Sequence, residues 1–245
     1  MPSLLRTLFA PVLLVQGKRM FATMPMLPEP EGDANGMRGD GPLLRLLIVG
    51  DSSAAGYGVA TRKEALQGQI TSRLAGTHTV CWTTFARFGS TGLKTLRFIE
   101  KQETASYDVA VVAVGLNDMI SGELLRPWLD AQRQLVKTLR DRFRVSHIVI
   151  SGLPPIGGFP ALPQPMRWIL GRQRDRYDAA LQAWITNDPA LTYIPTGFTD
   201  DSPLQEGDMT VADVMSTDGF HPGPLVYEEW GQRAAEAIRA RPLPS

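Results

Sequence analysis

The chain of 245 residues has a single cysteine, three histidines and no excess of either charge, with 25 Lys and Arg against 25 Asp and Glu. One thiol excludes an intrachain disulfide and any metal knuckle built from several cysteines; lying in the apolar run TVCWTTF, Cys81 is expected in the core. A net charge of zero provides no basic field for neutralising phosphates, so nucleic acid is not an expected partner. No apolar run has the length of a spanning helix. The nearest, within MPSLLRTLFAPVLLVQGKRM, is interrupted by Pro11; Lys18 and Arg19 follow its apolar part, and no A-x-A pattern closes it, so it does not fit a secretory leader. It reads as an amphipathic helix that docks on the domain or skims a membrane, with residues 3 to 16 as the contact. The expected location is cytoplasmic, with peripheral membrane contact and secretion both left open.

What is present is a regular alternation of strands and helices. Residues 22 to 42, ATMPMLPEPEGDANGMRGDGP, are rich in Pro and Gly and read as a linker without an element of its own. Residues 1–42 are therefore an amino-terminal segment and residues 43–245 one domain, since no shift of composition divides the rest. Apolar runs of strand length occur at 44–49, 80–85, 109–114, 147–150 and, more weakly, 191–195. Between them, 61–74, 124–143, 166–185 and 224–239 carry helical spacing; the last has Pro224 at its start and a stripe of Tyr227, Trp230, Ala234 and Ile238. Strands apolar at nearly every position imply a parallel sheet covered on both faces, an α/β fold. In such sheets the working residues gather at the carboxyl ends of the strands.

The first apolar strand ends in Gly50-Asp51-Ser52-Ser53, which places hydroxyls at that edge. Ser and Asp also favour turns and helix starts, so the bland reading is a turn. Acyl transfer by a serine needs a base that titrates near neutrality, which directs attention to the histidines. His78 enters a strand and His147 opens one at the amino edge. Only His221, in STDGFHPG, lies in a loop at the working edge, with Asp218 three positions earlier to orient it.

Four pieces thus occur in order: GDSS at 50–53, Gly89 in RFGSTG, GLND at 115–118 and DGFH at 218–221. Together they resemble the SGNH hydrolase family, the GDSL-type lipases and esterases. The resemblance implies a flavodoxin-like, three-layer α/β/α sandwich with five parallel strands, and ester hydrolysis without cofactor or metal. It also implies Ser52 as nucleophile, His221 as base, Asp218 as its partner, and an oxyanion hole from the N–H groups of Ser52 and Gly89 with the Asn117 amide. Two departures keep rivals open. Ser53 stands where the family name expects Leu, and Gly89 lacks the preceding Asn often found there, which leaves Gly92 beside it.

Asp51 and Asp118 are read as loop-fixing residues. The scatter Asp200, Asp201, Asp208 and Asp213 has no metal-ligand spacing and reads as a solvated loop. The Pro-rich apolar stretch 151–171 is either one wall of an acyl pocket or a loop that covers the core. The expected substrate is a small ester with a short- to medium-chain acyl or an aryl group. Carbohydrate deacetylation or acyl transfer at the same site is the neighbouring reading. A non-catalytic binding module such as a flavin carrier lacks its phosphate loop, because no G-x-G-x-x-G pattern occurs.

Overall fold

In LLRLLIVG each of the last five residues is buried, because helices cover both faces of this strand. The computed structural model describes residues 2–196 and 209–242. Its strands are β1 (Asn35–Arg38), β2 (Leu43–Gly50), β3 (Thr79–Ala86), β4 (Val109–Ala113), β5 (His147–Ser151) and β6 (Leu191–Ile194), in the sheet order β1-β3-β2-β4-β5-β6. Five are parallel, as expected; β1 adds a sixth, antiparallel strand on the outer side of β3. The helices are α1 (Pro2–Thr23), α2 (Ser52–Ala55), α3 (Leu66–Leu74), α4 (Gly92–Ile99), α5 (Leu116–Ser121), α6 (Leu125–Phe143), α7 (Met166–Ile185), α8 (Val211–Val214) and α9 (Pro224–Arg239).

The alternation along β2 divides the core in two. Leu47 and Val49 face α6 and α7 through Trp128, Leu139, Phe143 and Leu181. Leu46 and Ile48 face α3 and α9 through Leu66, Ile70, Tyr227 and Trp230. This is the three-layer sandwich. Because β3 and β4 pair with opposite sides of β2, the chain reverses its winding there, and a crevice opens beyond the carboxyl ends of β2 and β4.

Three expectations change. Residues 29–38 are not a free linker: Arg62 pairs with Glu29 and donates to Gly32 O (3.1 Å), Gln67 donates to Asp33 O (2.8 Å), and β1 joins the sheet. Cys81 is exposed rather than in the core. It sits on β3, one place from the edge, where only Val80 is buried and an apolar residue no longer implies cover on both faces. The amino-terminal helix runs on through Pro11, and it is not one-sided. Leu13 and Met20 pack inward while Val12, Leu14 and Val15 face outward. It docks on α7, where Gln16 donates to Gln164 O (2.6 Å) and accepts from Met166 N–H (3.3 Å). Among the described residues no helix is long and apolar enough to cross a membrane.

Candidate active site

The turn after β2 answers which of the two serines is free. Asp51 caps α2: its Oδ1 accepts the Ser53 N–H at 3.0 Å and the Ser53 hydroxyl at 2.7 Å. Ser53 is thereby committed to the cap. Ser52, at the first position of the helix, places its Oγ 2.9 Å from His221 Nε2.

His221 lies in the turn that Pro224 converts into α9. Asp218 organises that turn by accepting the N–H groups of Phe220 and His221 on Oδ1, each at 2.9 Å. Its Oδ2 lies 2.5 Å from His221 Nδ1. Burial alone would raise the Asp218 carboxyl, but bonds from the His221 ring and from the N–H groups of His221 and Phe220 outweigh it and hold the acid below its usual value. Gly58 lets the loop after α2 pass against this turn. Its φ is +108°, and a Cβ there would fall 2.2 Å from Pro222 O. The result is a carboxylate, an imidazole and a hydroxyl linked in series, an arrangement in which the imidazole can take the hydroxyl proton.

The two remaining loops meet the same edge. Arg87 N–H donates to Gly50 O at 3.2 Å, which pins the loop after β3 beside the Asp51 turn. Asn117, in the first turn of α5, donates to Ser90 O at 3.0 Å and more weakly to Asp51 Oδ2 at 3.4 Å. Gly92 is not free, since its buried N–H donates to both oxygens of Asp118, at 3.0 and 2.9 Å. Gly89, with φ +63° and open space beside it, and Ser52 have N–H groups that donate to no protein acceptor among the described residues. Both flanking carboxyls are pushed up by burial. For Asp118 the shift, to about 6, is opposed by the Gly92 N–H and helped by the charges of Asp51 and Glu123. For Asp51 it is opposed by the Ser53 bonds and the charge of His221.

A cleft open to solvent lies over Ser52 and His221. Leu116, Pro154, Phe159, Met215, Val226 and Trp230 are among its lining residues, so the stretch after β5 supplies one wall; Phe159 and Leu162 also fill the core. The other two histidines are elsewhere, His78 beside Thr77 before β3 and His147 against Thr192 at the amino edge. Asp213 closes a capping box with Thr210 at the start of α8, whereas Asp200, Asp201 and Asp208 lie outside the described residues.

Sequence reasoning missed the aromatic surround of His221. Phe220 meets the imidazole edge-on at 5.3 Å, and Tyr57 and Phe88 stand 5.9 and 5.7 Å from it. It also missed the tips of two stripe residues. Tyr227 Oη bridges Ser53 O and Tyr57 O at 3.0 and 2.7 Å, and Trp230 donates to Ser151 Oγ at 2.9 Å. An apolar stripe with an O–H or N–H at each tip was the available signal for those two. Phe88 had none.

Comparison with known proteins bears on the fold and the family. A GDSL-like esterase of Mycobacterium tuberculosis is 29% identical over 153 residues, 56% of this chain and 48% of that protein, so the match spans about half of the relative's length. The solved structure of a psychrotrophic esterase from Pseudoalteromonas sp. superposes with a TM-score of 0.58 at 17% identity, covering 80% of this chain and 97% of that one. A carbohydrate esterase family 2 enzyme from Corynascus thermopiles (Myceliophthora fergusii) gives 0.59 at 15% identity, covering 88% and 68%. At such identities the structures speak for the fold alone. The model of the GDSL-like Lipase/Acylhydrolase family matches residues 48–229, which is well over half of the sequence, and the chain belongs to that family.

Proposed function

We propose that the protein is a serine ester hydrolase in which Ser52 is the nucleophile, His221 the general base and Asp218 the group that orients and stabilises the imidazolium. The observation that carries the reading is the unbroken series Ser52 Oγ, His221 Nε2, His221 Nδ1, Asp218 Oδ2, at 2.9 and 2.5 Å. Ser52 Oγ attacks the ester carbonyl as its proton passes to His221 Nε2. The bond to the alcohol oxygen then breaks and Nε2 returns the proton to that oxygen. Water, deprotonated by the same nitrogen, repeats the attack on the acyl-enzyme and releases the carboxylic acid.

The negative oxygen formed in each attack needs donors already in place. The N–H groups of Ser52 and Gly89 are available, whereas that of Gly92 is spent on Asp118, which favours Gly89. The Asn117 amide can exchange its long 3.4 Å contact with Asp51 for the oxyanion while the 3.0 Å bond to Ser90 O holds it. The apolar cleft lining favours short- to medium-chain acyl or aryl esters over polar acyl groups. Carbohydrate deacetylation would use the same chemistry on the smallest acyl group.

An organophosphonate probe followed by peptide mapping tests the reading. The adduct is expected on Ser52, with turnover abolished in Ser52→Ala and kept in Ser53→Ala. An adduct on Ser53, or full turnover in Ser52→Ala, would overturn it.

A further inference from the structure

The loop FARFGSTG supplies Gly89 to the proposed site, but its Phe88 has no part in the chemistry described so far. Phe88 is 59% exposed, and its ring lies 4.9 Å from that of Tyr57. Both rings stand against His221, and neither lines the apolar cleft. The segments that carry the two rings are anchored. Tyr57 donates its N–H to Ser52 O (3.0 Å) and accepts Tyr227 Oη on its carbonyl (2.7 Å). The Phe88 loop is held by Arg87 N–H on Gly50 O, and the Arg87 guanidinium lies 3.7 Å over the Phe98 ring. Phe88 is thus a large apolar side chain on an anchored loop, in contact with two rings yet left in water, and it offers a flat face to a ligand.

Ester cleavage says which part of a substrate reaches that face. The alcohol oxygen must come within reach of His221 Nε2 to receive its proton, so the alcohol portion lies beside the imidazole in any productive pose. With the acyl group in the apolar cleft, the surface left beside His221 among the described residues is the Tyr57–Phe88 pair. We propose that Tyr57 and Phe88 form a leaving-group subsite that binds the face of an aromatic alcohol. This rests on the serine hydrolase reading above.

The test varies the alcohol and the acid separately with the full-length protein. Benzyl acetate and ethyl acetate share an acyl group and release alcohols of similar acidity, so their intrinsic reactivity is matched; ethyl phenylacetate puts the ring on the acid instead. Phe88→Ala should lower the benzyl-to-ethyl ratio of kcat/KM roughly 2- to 10-fold, the range of one aromatic contact, with the change mainly in KM. Phe88→Tyr should restore the ratio. An unchanged ratio overturns the proposal. So does a loss of preference for ethyl phenylacetate in place of benzyl acetate, or a loss confined to an acetylated pyranoside. Failure of the underlying reading is distinct, because it would show as turnover of either ester by Ser52→Ala.

Discussion

Two buried histidines mark the two ends of this sheet, and their surroundings differ in one respect. His147 opens β5 at the amino edge, 9% exposed, with Nε2 3.0 Å from the Thr192 hydroxyl and Nδ1 without a partner among the described residues. Burial, and to a lesser degree the charge of Arg241, lowers its pKa to about 4. It is a neutral ring with no acid among the described residues to hold a proton on it. His221 at the carboxyl edge is buried more deeply, at 3%, yet has a carboxylate behind Nδ1 and a hydroxyl before Nε2. Burial makes an imidazole inert; burial with an oriented carboxylate makes it able to carry a proton during reaction.

The most damaging way to break the contrast is to give His221 the surroundings of His147. Asp218→Asn keeps an oxygen to accept the N–H groups of Phe220 and His221, so the turn should survive. It removes the charge and favours the wrong tautomer. A fall in kcat of about 10⁴-fold is expected, with a melting curve close to that of the parent. Activity within ten-fold of the parent would mean that the carboxylate does not support the base.

A smaller loss is expected from the oxyanion side of the same edge. Asn117→Ala should lower kcat roughly 10²- to 10³-fold, about 3 to 4 kcal/mol, because a donor to the developing oxyanion acts most strongly once charge has formed. KM should change far less. The 3.0 Å bond from Asn117 to Ser90 O also fixes the loop, so circular dichroism and melting must accompany the kinetics. Loss of activity only in step with the folded fraction would reduce Asn117 to a turn residue.

The parallel strands and the long helices were legible because each carries a period that burial imposes. β4 is apolar throughout, β2 is apolar but for Arg45, β5 carries the apolar run Ile148–Ile150 between His147 and Ser151, and α9 begins at Pro224 as the sequence indicates. The candidate site was gathered from the order and spacing of its motifs and from the family resemblance; in the structure Ser52, His221 and Asp218 form a hydrogen-bonded series at the carboxyl edge, and Asn117, in the first turn of α5 after β4, lines the same cleft. What escaped had a weak local signature or none. β1, NGMR, is exposed along most of its length and owes its existence to pairing with β3, a contact set by tertiary structure. α4 has a legible start in Thr91, whose side chain accepts the Lys94 N–H, but its short stripe lies next to the loop that drew attention for its glycines. The choice between Ser52 and Ser53, and between Gly89 and Gly92, needed the acceptors that Asp51 and Asp118 provide, and sequence spacing does not show which N–H or O–H a carboxylate takes.

The smallest expected effect sets the two ends against each other through pH. Asp118, near the carboxyl edge, has its pKa raised from 3.8 to about 6, so between those values the folded protein binds a proton more tightly than the unfolded chain. Its contribution to stability is present at acid pH and is lost as pH rises through that window. His147, at the amino edge, is lowered from 6.5 to about 4, so there the unfolded chain binds the proton more tightly, and stability is lost as pH falls. The two contributions oppose each other over nearly the same range and largely cancel in the parent. Asp118→Asn keeps an acceptor for Gly92 N–H and removes the charge, so the slope of Tm against pH between 4 and 6.5 should become more positive. His147→Gln keeps a partner for Thr192 and should make that slope more negative. Changes of a few degrees across the window are expected for a domain of this size. The residues sit at opposite edges with no shared partner, so the double variant should return to the parental slope. Differential scanning fluorimetry at closely spaced pH values reads all four proteins. If both single variants tilt the curve the same way, one of the two groups does not titrate as its surroundings dictate.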